Sequence, residues 1–220
     1  MSEGKIKRNA IKVAMLGDSM VGKTAICNTF MNIEFNDSNL STIGVEKLES
    51  QITLKNGEEI KLILWDTAGQ ERFRSIALKS IKTAQGVVIV FDLTKKITFD
   101  NVVNWLKQID ENLNNVSLVL FGNKCDIEKE KWEVTKEEVL QFAKIKNLPY
   151  FETSAKTNTN IKEGFENVVN AAYEKLEGNK TNKNIQLEDD DEKTHKKGGC
   201  CGGGGNEDKK KKIKDKKKDK

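Results

Sequence analysis

Residues 17–24 read GDSMVGKT and carry the residue types of a phosphate-binding loop. They match the spacing G-x-x-x-x-G-K-[ST] between a predicted strand and a predicted helix, as the mechanism of such a loop requires. Glycines let the backbone fold around a phosphate with its N–H groups inward, and the helix start adds partial positive charge. A glycine turn with a solvated lysine is the competing interpretation, and the flanking elements favour a nucleoside triphosphate site.

Within this loop, Lys23 is placed to neutralise the outer phosphates and Thr24 offers a hydroxyl to a magnesium ion. The residues predicted to surround the phosphates are Asp18, Ser19, Met20, Val21, Gly22, Lys23, Thr24 and Ala25.

A second candidate segment, WDTAGQE at residues 65–71, ends a run of apolar residues with a carboxylate. At the end of a strand, Asp66 could reach a magnesium ion held by the first loop. Gly69 can lend a backbone N–H, and Gln70 can orient a water molecule because its amide both accepts and donates hydrogen bonds. An ordinary turn is the alternative for this segment alone, but beside a phosphate loop it indicates a hydrolytic site.

The segment NKCD at residues 123–126 indicates which base is bound. A carboxylate accepts two hydrogen bonds side by side, and guanine offers two adjacent donors where adenine offers an acceptor. Asp126 therefore selects guanine, by ~10⁴-fold or more for a buried polar site. Asn123 would tether loops, and the stem of Lys124 would lie along the ring face. In the segment SAK at residues 154–156, the N–H of Ala155 could donate to guanine O6, beside Ser154 and Lys156.

Alternating strand and helix patterns must position these segments. Runs that are apolar on both faces predict buried strands, and Asn56-Gly57 predicts a hairpin turn. The pattern predicts an α/β fold with a doubly wound, mostly parallel sheet, in which ligands bind beyond the carboxyl ends of the strands. The predicted strands are residues 11–16, 46–54, 61–66, 86–92, 116–122 and 150–153, and the predicted helices are residues 22–31, 98–113, 135–146 and 160–176.

Two of these helices carry further local signals. The helix at residues 98–113 is predicted to bury one face, and the helix at 135–146 is predicted to begin with a capping box of Thr135 and Glu138. The residues predicted to share the buried face of the first are Phe99, Val102, Val103, Leu106 and Ile109.

Composition excludes several classes of function. Of 220 residues, 36% are apolar, which is enough for a core, and no apolar run approaches the ~20 residues that span a bilayer. The start of the chain lacks the apolar stretch of a signal peptide, so we expect a cytosolic protein.

The four cysteines show no disulfide framework or zinc spacing, and the single histidine is His195 in a Lys-rich tail. Serine–histidine triads, cysteine–histidine pairs and histidine-ligated metals are thus excluded for the folded part.

Charge divides the chain into a body and a tail. Residues 193–220 hold 12 lysines and 4 acids, so the net charge of +4 belongs to this end and the remainder is mildly acidic. An acidic body argues against nucleic acid as a partner. We predict a flexible N-terminus at residues 1–7, a folded domain at 8–177 and a disordered tail at 178–220.

The chain resembles a Ras-superfamily small GTPase of the Rab group. The resemblance covers about residues 8–177 and rests on GDSMVGKT, STIGVE (residues 41–46), WDTAGQE, NKCD and ETSAK (residues 152–156), in the family's order. It implies a P-loop NTPase fold with six strands, five helices on both faces of the sheet and two mobile switch segments. It also implies that Thr42 meets magnesium and the γ-phosphate, that Asp66 contacts magnesium through water, that Phe35 packs on guanine and that Gln70 positions the attacking water.

The resemblance implies a Mg²⁺-dependent GTP/GDP switch in vesicle trafficking, with Gln70, Lys23 and Thr42 as its catalytic residues. Hydrolysis would be slow without an activating protein that supplies an arginine, worth ~10³–10⁵ in rate. An exchange factor, effectors and a dissociation inhibitor are the other implied partners of a monomer on the cytosolic face of an endomembrane. A GTP-binding module with little or no hydrolysis, and an ATP-using P-loop enzyme, are the alternatives; Gln70 argues against the first and Asp126 against the second.

The chain departs from the family at several positions. Met20 replaces a common glycine and would crowd the arginine of an activating protein. Lys47 stands where phenylalanine is usual and residues 80–83 where Tyr-Tyr-Arg-Gly is typical, which predicts altered partners.

Cys200 and Cys201 resemble a prenylation site, but 19 residues follow them. A prenyltransferase that needs a free end would reject this site, whereas trimming, palmitoylation or the lysines could still bring the chain to an anionic membrane.

Overall fold

A six-stranded sheet organises the computed structural model, which describes residues 10–35, 44–67 and 82–194, and in the last range the side chains as far as Gly178. The strand order is β2-β3-β1-β4-β5-β6, and β2 pairs antiparallel with β3 while the other pairs are parallel. The predicted α/β architecture with a mostly parallel sheet is confirmed. The strands are β1 (Ala10–Leu16), β2 (Val45–Thr53), β3 (Glu59–Thr67), β4 (Gly86–Asp92), β5 (Ser117–Asn123) and β6 (Tyr150–Glu152).

Helices cover both faces of this sheet, as predicted. One buried apolar cluster joins α1 and α5 to the sheet, and a second joins α2, α3 and α4 to the opposite face. Every residue of β4 is buried, because a central parallel strand is covered on both sides. The helices are α1 (Lys23–Phe30), α2 (Lys96–Asp100), α3 (Val102–Asn112), α4 (Lys136–Lys146) and α5 (Ile161–Thr194), with a 3₁₀ turn at Lys129–Lys131.

The predicted hairpin is the β2–β3 pair. Its turn is closed by Leu54 N–H donating to Glu58 O at 2.8 Å and by Gly57 N–H donating to Leu54 O at 2.9 Å. The register sets Lys47 opposite Trp65 and Ile52 opposite Ile60. The hairpin therefore adds the only antiparallel pair of the sheet among the described residues and places β2 at its edge.

The helix predicted at residues 98–113 is two helices that meet at Asn101. The prediction that Val103 shares the buried face was wrong, because its side chain is 49% exposed. Once the second helix begins at Val102, the spacing of 3.6 residues per turn directs Trp105, Leu106 and Ile109 to the core, and position 103 lies off that face.

The capping box predicted for α4 is half formed. The Glu138 N–H donates to Thr135 Oγ1 at 3.3 Å, as expected for an N-cap. The Glu138 carboxylate, however, pairs with Lys96 at 2.8 Å, because α2 lies beside this helix. A contact between helices thus takes the place of the local contact within the motif.

The last helix is longer than the sequence predicted. It continues to Thr194, whereas we expected its end at Leu176 and disorder from residue 178. The added stretch has no proline, so helix can propagate into it from the packed turns that precede it. The chain divides into two units, Met1–Asn179 and Lys180–Lys220. The assignment of the second unit as a tail outside the folded domain stays a prediction.

Two glycines of α5 allow a matched test of packing. A Cβ added at Gly164 would lie 2.3 Å from the Phe121 ring, whereas nothing lies within 4 Å of one added at Gly178. We expect Gly164→Ala to lower the free energy of unfolding by about 1–3 kcal/mol, because Phe121 is fully buried and cannot move aside. Gly178→Ala should raise it by about 0.5–1 kcal/mol through helix propensity. Urea titration of both variants checks this, and equal shifts would contradict the packing.

Candidate functional site

The predicted phosphate loop joins β1 to α1 at the carboxyl edge of the sheet. Gly17 has φ 140° and a Cβ there would lie 2.1 Å from Val90 O, so the loop passes too close to β4 for a side chain. Gly22 has φ 98°, and a Cβ there would lie 2.3 Å from the side-chain nitrogen of Asn123. Both glycines are therefore needed for the loop to turn tightly against its neighbours.

Lys23 is buried in this loop. Its ammonium donates to Gly17 O at 3.0 Å and to Asp18 O at 2.6 Å. Burial lowers the pKa of Lys23 to about 8, and the carboxylates of Asp66 and Asp18 partly oppose that shift. The loop thus holds a desolvated cation, which an anion of phosphate type would stabilise.

Thr24 and Asp66, the predicted oxygen ligands of a magnesium ion, lie next to each other. Thr24 Oγ1 donates to Asp66 Oδ2 at 2.6 Å, although the two residues lie on α1 and at the end of β3. Asp66 is fully buried. A hydroxyl and a carboxylate oxygen suit a hard cation such as Mg²⁺, which binds through few protein ligands when a phosphate supplies others. The donor set therefore fits the implied metal.

The predicted base-reading residues lie together at the ends of β5 and β6. Ser154 Oγ donates to Asp126 Oδ1 at 2.6 Å, which orients the carboxylate while Asp126 remains exposed. Ala155 O accepts from Thr29 Oγ1 at 2.8 Å, so this loop is tied to α1. Lys156 is exposed. A carboxylate held at one oxygen retains lone pairs for the two donors of a base.

The predicted tether by Asn123 is present. Its side-chain amide donates to Val21 O at 2.8 Å, in buried surroundings, and so links the candidate base-reading loop to the phosphate loop. Its Oδ1 accepts from Thr153 Oγ1 at 3.5 Å. One hydrogen bond thereby makes the two predicted half-sites parts of one site.

Sequence reasoning missed Asp92, whose carboxylate pairs with the Lys124 ammonium at 2.6 Å. Asp92 is fully buried, and its other oxygen accepts from Thr94 N–H at 2.9 Å. The signal was available, because Asp92 follows an apolar run at the end of a strand, as Asp66 and Asn123 do. Lys124 therefore has a buried counter-charge that fixes its position within the candidate base-reading segment at residues 123–126.

A second group that was missed holds Asp18. Its carboxylate accepts from Asn101 Nδ2 at 2.6 Å and from Trp105 Nε1 at 2.9 Å. No local spacing pattern connects positions so far apart along the chain, and nothing in the sequence pointed to them.

The remaining predicted residues are distributed as follows. Ser19 is exposed, and Met20 is exposed and has φ 64°, the left-handed conformation that favours glycine. Phe35 is exposed in the segment after α1. Ala25 is buried in α1. Predictions for Thr42, Gly69, Gln70, Cys200 and Cys201 lie outside the described residues.

The described ranges lack two features, a membrane-spanning helix and a preformed cluster of metal-ligating side chains. No helix in residues 10–35, 44–67 and 82–194 is both long and apolar enough to cross a membrane. Within the same ranges, no three His, Cys, Asp or Glu residues come together as a ready-made metal site.

Comparison with known proteins places the chain among close relatives. The family model described as the Ras family matches residues 12–174. The chain is 41% identical over 155 residues to the Ras-related protein Rab-13 of Canis lupus familiaris, covering 70% of this chain and 75% of that protein. It is 38% identical over 178 residues to the Ras-related protein SEC4 of Saccharomyces cerevisiae, covering 80% and 81%. It is 43% identical over 155 residues to the Ras-related protein Rab-10 of Diplobatis ommata, covering 70% and 76%.

Proposed function

The chain belongs to the Ras family as a Rab-type small GTPase, and from this premise we propose which of its residues bind, select and hydrolyse GTP. As a member it hydrolyses GTP and acts in vesicle trafficking. The alternative of a binding module with little or no hydrolysis is not favoured, because the family that it matches consists of GTPases. The observation that carries the site assignment is the hydrogen bond from Asn123 to Val21, which joins the phosphate loop and the base-reading loop in one site.

In the proposed site, Asp126 accepts from guanine, and Ser154 holds that carboxylate in place. Asn123 and Lys124 brace the loop, and the Ala155 N–H donates to guanine O6. Phe35 packs against the base. The phosphates lie along the amides of residues 18–25, with the Lys23 ammonium on the outer phosphates, where negative charge is greatest.

Hydrolysis is proposed to follow in-line attack of water on the γ-phosphate, with the protein supplying positioning and charge stabilisation. Gln70 would orient the water, and Thr42 and Gly69 would hold the γ-phosphate through the switch segments. Lys23 and the loop amides offset the charge that develops on the phosphate oxygens. Loss of the γ-phosphate releases Thr42 and Gly69, which gives the two states of a switch.

Thr24 and Asp66 would hold a magnesium ion, together with Thr42. The ion would supply positive charge to the phosphate oxygens. Thr24 Oγ1 and Asp66 Oδ2 lie 2.6 Å apart, so the hydroxyl and the carboxylate that would hold the ion are already close together.

Partners are proposed as an exchange factor, an activating protein, effectors and a dissociation inhibitor acting on a monomer. Lys47 lies on the exposed side of β2, where Glu49 pairs with both Lys47 and Lys61 at 2.5 Å. Trp65 is opposite Lys47 in the ladder. Effectors that read this part of the switch region would therefore meet a strip of paired charges beside one aromatic residue.

The proposed localisation of this chain is taken from that of Rab-type proteins. Rab-type proteins are peripheral on endomembranes, and we place this chain on the cytosolic face. Cys200 and Cys201 are the proposed lipidation sites, and the lysines after them would add electrostatic attraction of ~1 kcal/mol each to an anionic leaflet.

Nucleotide competition tests the proposed function. Purified full-length protein is loaded with fluorescent GDP and Mg²⁺, and unlabelled GTP, GDP, ATP and ADP are added in excess. We expect displacement by both guanosine nucleotides and none by adenosine nucleotides at the same concentration. Release of phosphate from GTP should be slow and should require Mg²⁺. Equal displacement by ATP, or rapid hydrolysis by the isolated protein, would contradict the proposal.

The pKa of Lys23 predicts how affinity depends on pH. The nucleotide-free lysine has a pKa of about 8, and phosphate favours its charged form, so binding above that pH must take up a proton. We expect GDP affinity to be constant below pH 8 and to fall by up to about tenfold per pH unit above it. Because the pKa is lowered on folding, the nucleotide-free protein should gain stability between pH 8 and the unfolded value of 10.5. Dissociation constants measured from pH 7 to 9.5 check this, with Lys23→Arg as a control whose charge does not titrate; identical profiles would contradict it.

A further inference from the structure

The carboxylate of Asp18 is held from outside the phosphate loop. Asn101 Nδ2 donates to Oδ2 at 2.6 Å and Trp105 Nε1 donates to Oδ1 at 2.9 Å. Each oxygen of one carboxylate thus has its own donor, and charge-assisted bonds of this kind are stronger than neutral ones. The loop is thereby tied to the start of α3.

The donors themselves are held firmly. Trp105 is only 2% exposed and belongs to the apolar cluster between α3 and the sheet. Asn101 lies at the break between α2 and α3, where its N–H donates to Ile97 O at 3.1 Å. Lys96 of α2 pairs with Asp100 at 2.7 Å and with Glu138 of α4 at 2.8 Å. The two donors therefore project from packed helices and can fix the position of a loop residue.

The same loop residue also holds Lys23. The backbone carbonyl of Asp18 accepts from the Lys23 ammonium at 2.6 Å, and the carbonyl of Gly17 accepts at 3.0 Å. A lysine on a flexible four-carbon stem takes the position of the acceptors around it. Any shift of the Asp18 peptide would move one of those acceptors.

We propose that Asn101 and Trp105 are positioning residues for the phosphate site, because they fix the Asp18 carboxylate and thereby the peptide oxygen that places the Lys23 ammonium. This inference rests on the proposed function, in which Lys23 meets the outer phosphates. It adds a link from α3 to the chemistry that the loop motif does not contain. The proposal therefore predicts that α3 contributes to the affinity for the outer phosphates but not to the affinity for the base.

Asn101→Asp is the sharpest test, because it keeps the shape of the side chain and replaces the donor with a second carboxylate facing Asp18. Aspartate is at least as favourable as asparagine at a helix start, so α3 should remain folded. GDP carries an outer phosphate and GMP does not. We expect the dissociation constant of GDP to rise about tenfold or more and that of GMP to stay within about twofold. Trp105→Phe, which removes only the indole N–H from an aromatic position, should change the GDP:GMP ratio in the same direction.

Exchanging the residue types at positions 18 and 101 tests whether the lost GDP affinity can be restored. In Asp18→Asn with Asn101→Asp, the new amide can donate to the new carboxylate while its oxygen still accepts from Trp105. The double variant should recover most of the GDP:GMP ratio lost in Asn101→Asp. Asn112→Ala, at an exposed asparagine of the same helix whose amide donates to Gln108 O at 2.8 Å, is the control and should match the original protein.

The outcomes separate the inference from the proposed function. Equal losses of GDP and GMP affinity, unchanged affinities in Asn101→Asp and Trp105→Phe, or no rescue in the double variant would each overturn the positioning role. If the unaltered protein shows no preference for GDP over GMP, the proposed function fails and the inference fails with it. A loss confined to GDP, with rescue, supports both.

Discussion

Replacing Asp126 with asparagine is expected to lower the affinity for GDP by about 10²-fold or more, because a hydrogen bond to a charged group, worth about 1.5–3 kcal/mol, is lost and two donors then face each other. The asparagine amide would present an N–H donor to the guanine amino group, which is also a donor. Ser154 Oγ, 2.6 Å from the carboxylate, can bond either side chain, so the loop should keep its shape. The same amide would match a carbonyl at that position of the base, so xanthosine diphosphate should bind the variant better than GDP does.

Competition binding with GDP, xanthosine diphosphate and ADP measures this change of preference. Glu128→Gln is the matched control, because it removes one exposed negative charge from the same loop, where Glu128 pairs with Lys131 at 2.9 Å. The control should retain the original preference. If Asp126→Asn still prefers GDP over xanthosine diphosphate, the assignment of Asp126 as the base-reading residue is wrong.

Replacing Lys23 with methionine is expected to weaken both GTP and GDP by about 10²- to 10³-fold, the range for removing one partner of a buried charge pair. Methionine has a similar length and fills the buried space without the ammonium. Affinity for GMP should change far less, because the lysine is assigned to the outer phosphates. Hydrolysis under saturating GTP should also slow, since the charge that develops on the γ-phosphate loses its nearest cation.

Dissociation kinetics of fluorescent GDP and single-turnover phosphate release measure these effects. Lys107→Met removes an exposed lysine of α3 whose carboxylate partner is 4.0 Å away, and it should behave as the original protein. Unfolding of the nucleotide-free Lys23→Met protein should resemble that of the original, because burial already penalises the ammonium. Nucleotide affinity that survives in Lys23→Met would remove the lysine from the proposed mechanism.

Much of the fold could be predicted because its signals are local. The buried strands are short apolar runs, and β4 was predicted at the bounds that the structure gives it. The Asn56-Gly57 turn signal correctly predicted the β2–β3 hairpin. Errors arose where tertiary contacts compete with local pattern. The break at Asn101 leaves Val103 exposed. The Glu138 side chain pairs with Lys96 of the neighbouring helix and does not complete the capping box.

The sequence by itself determined the candidate chemistry, because loop, carboxylate and base-reading segments are each written within a few consecutive residues. A phosphate loop needs glycines and a lysine at set spacing, and those requirements are met along the backbone. The polar ends of apolar strands also indicated where the segments would meet, since the carboxyl ends of parallel strands share one edge.

Tertiary structure alone decided how that chemistry is held. Asp92 pairs with Lys124, and Asn101 and Trp105 hold Asp18, across separations that no local pattern encodes. Such partners depend on which strand ends and helix faces come together when the sheet is covered. The physical reason is that a buried charge must find its counter-charge or donor wherever packing brings one, and packing is a property of the whole domain.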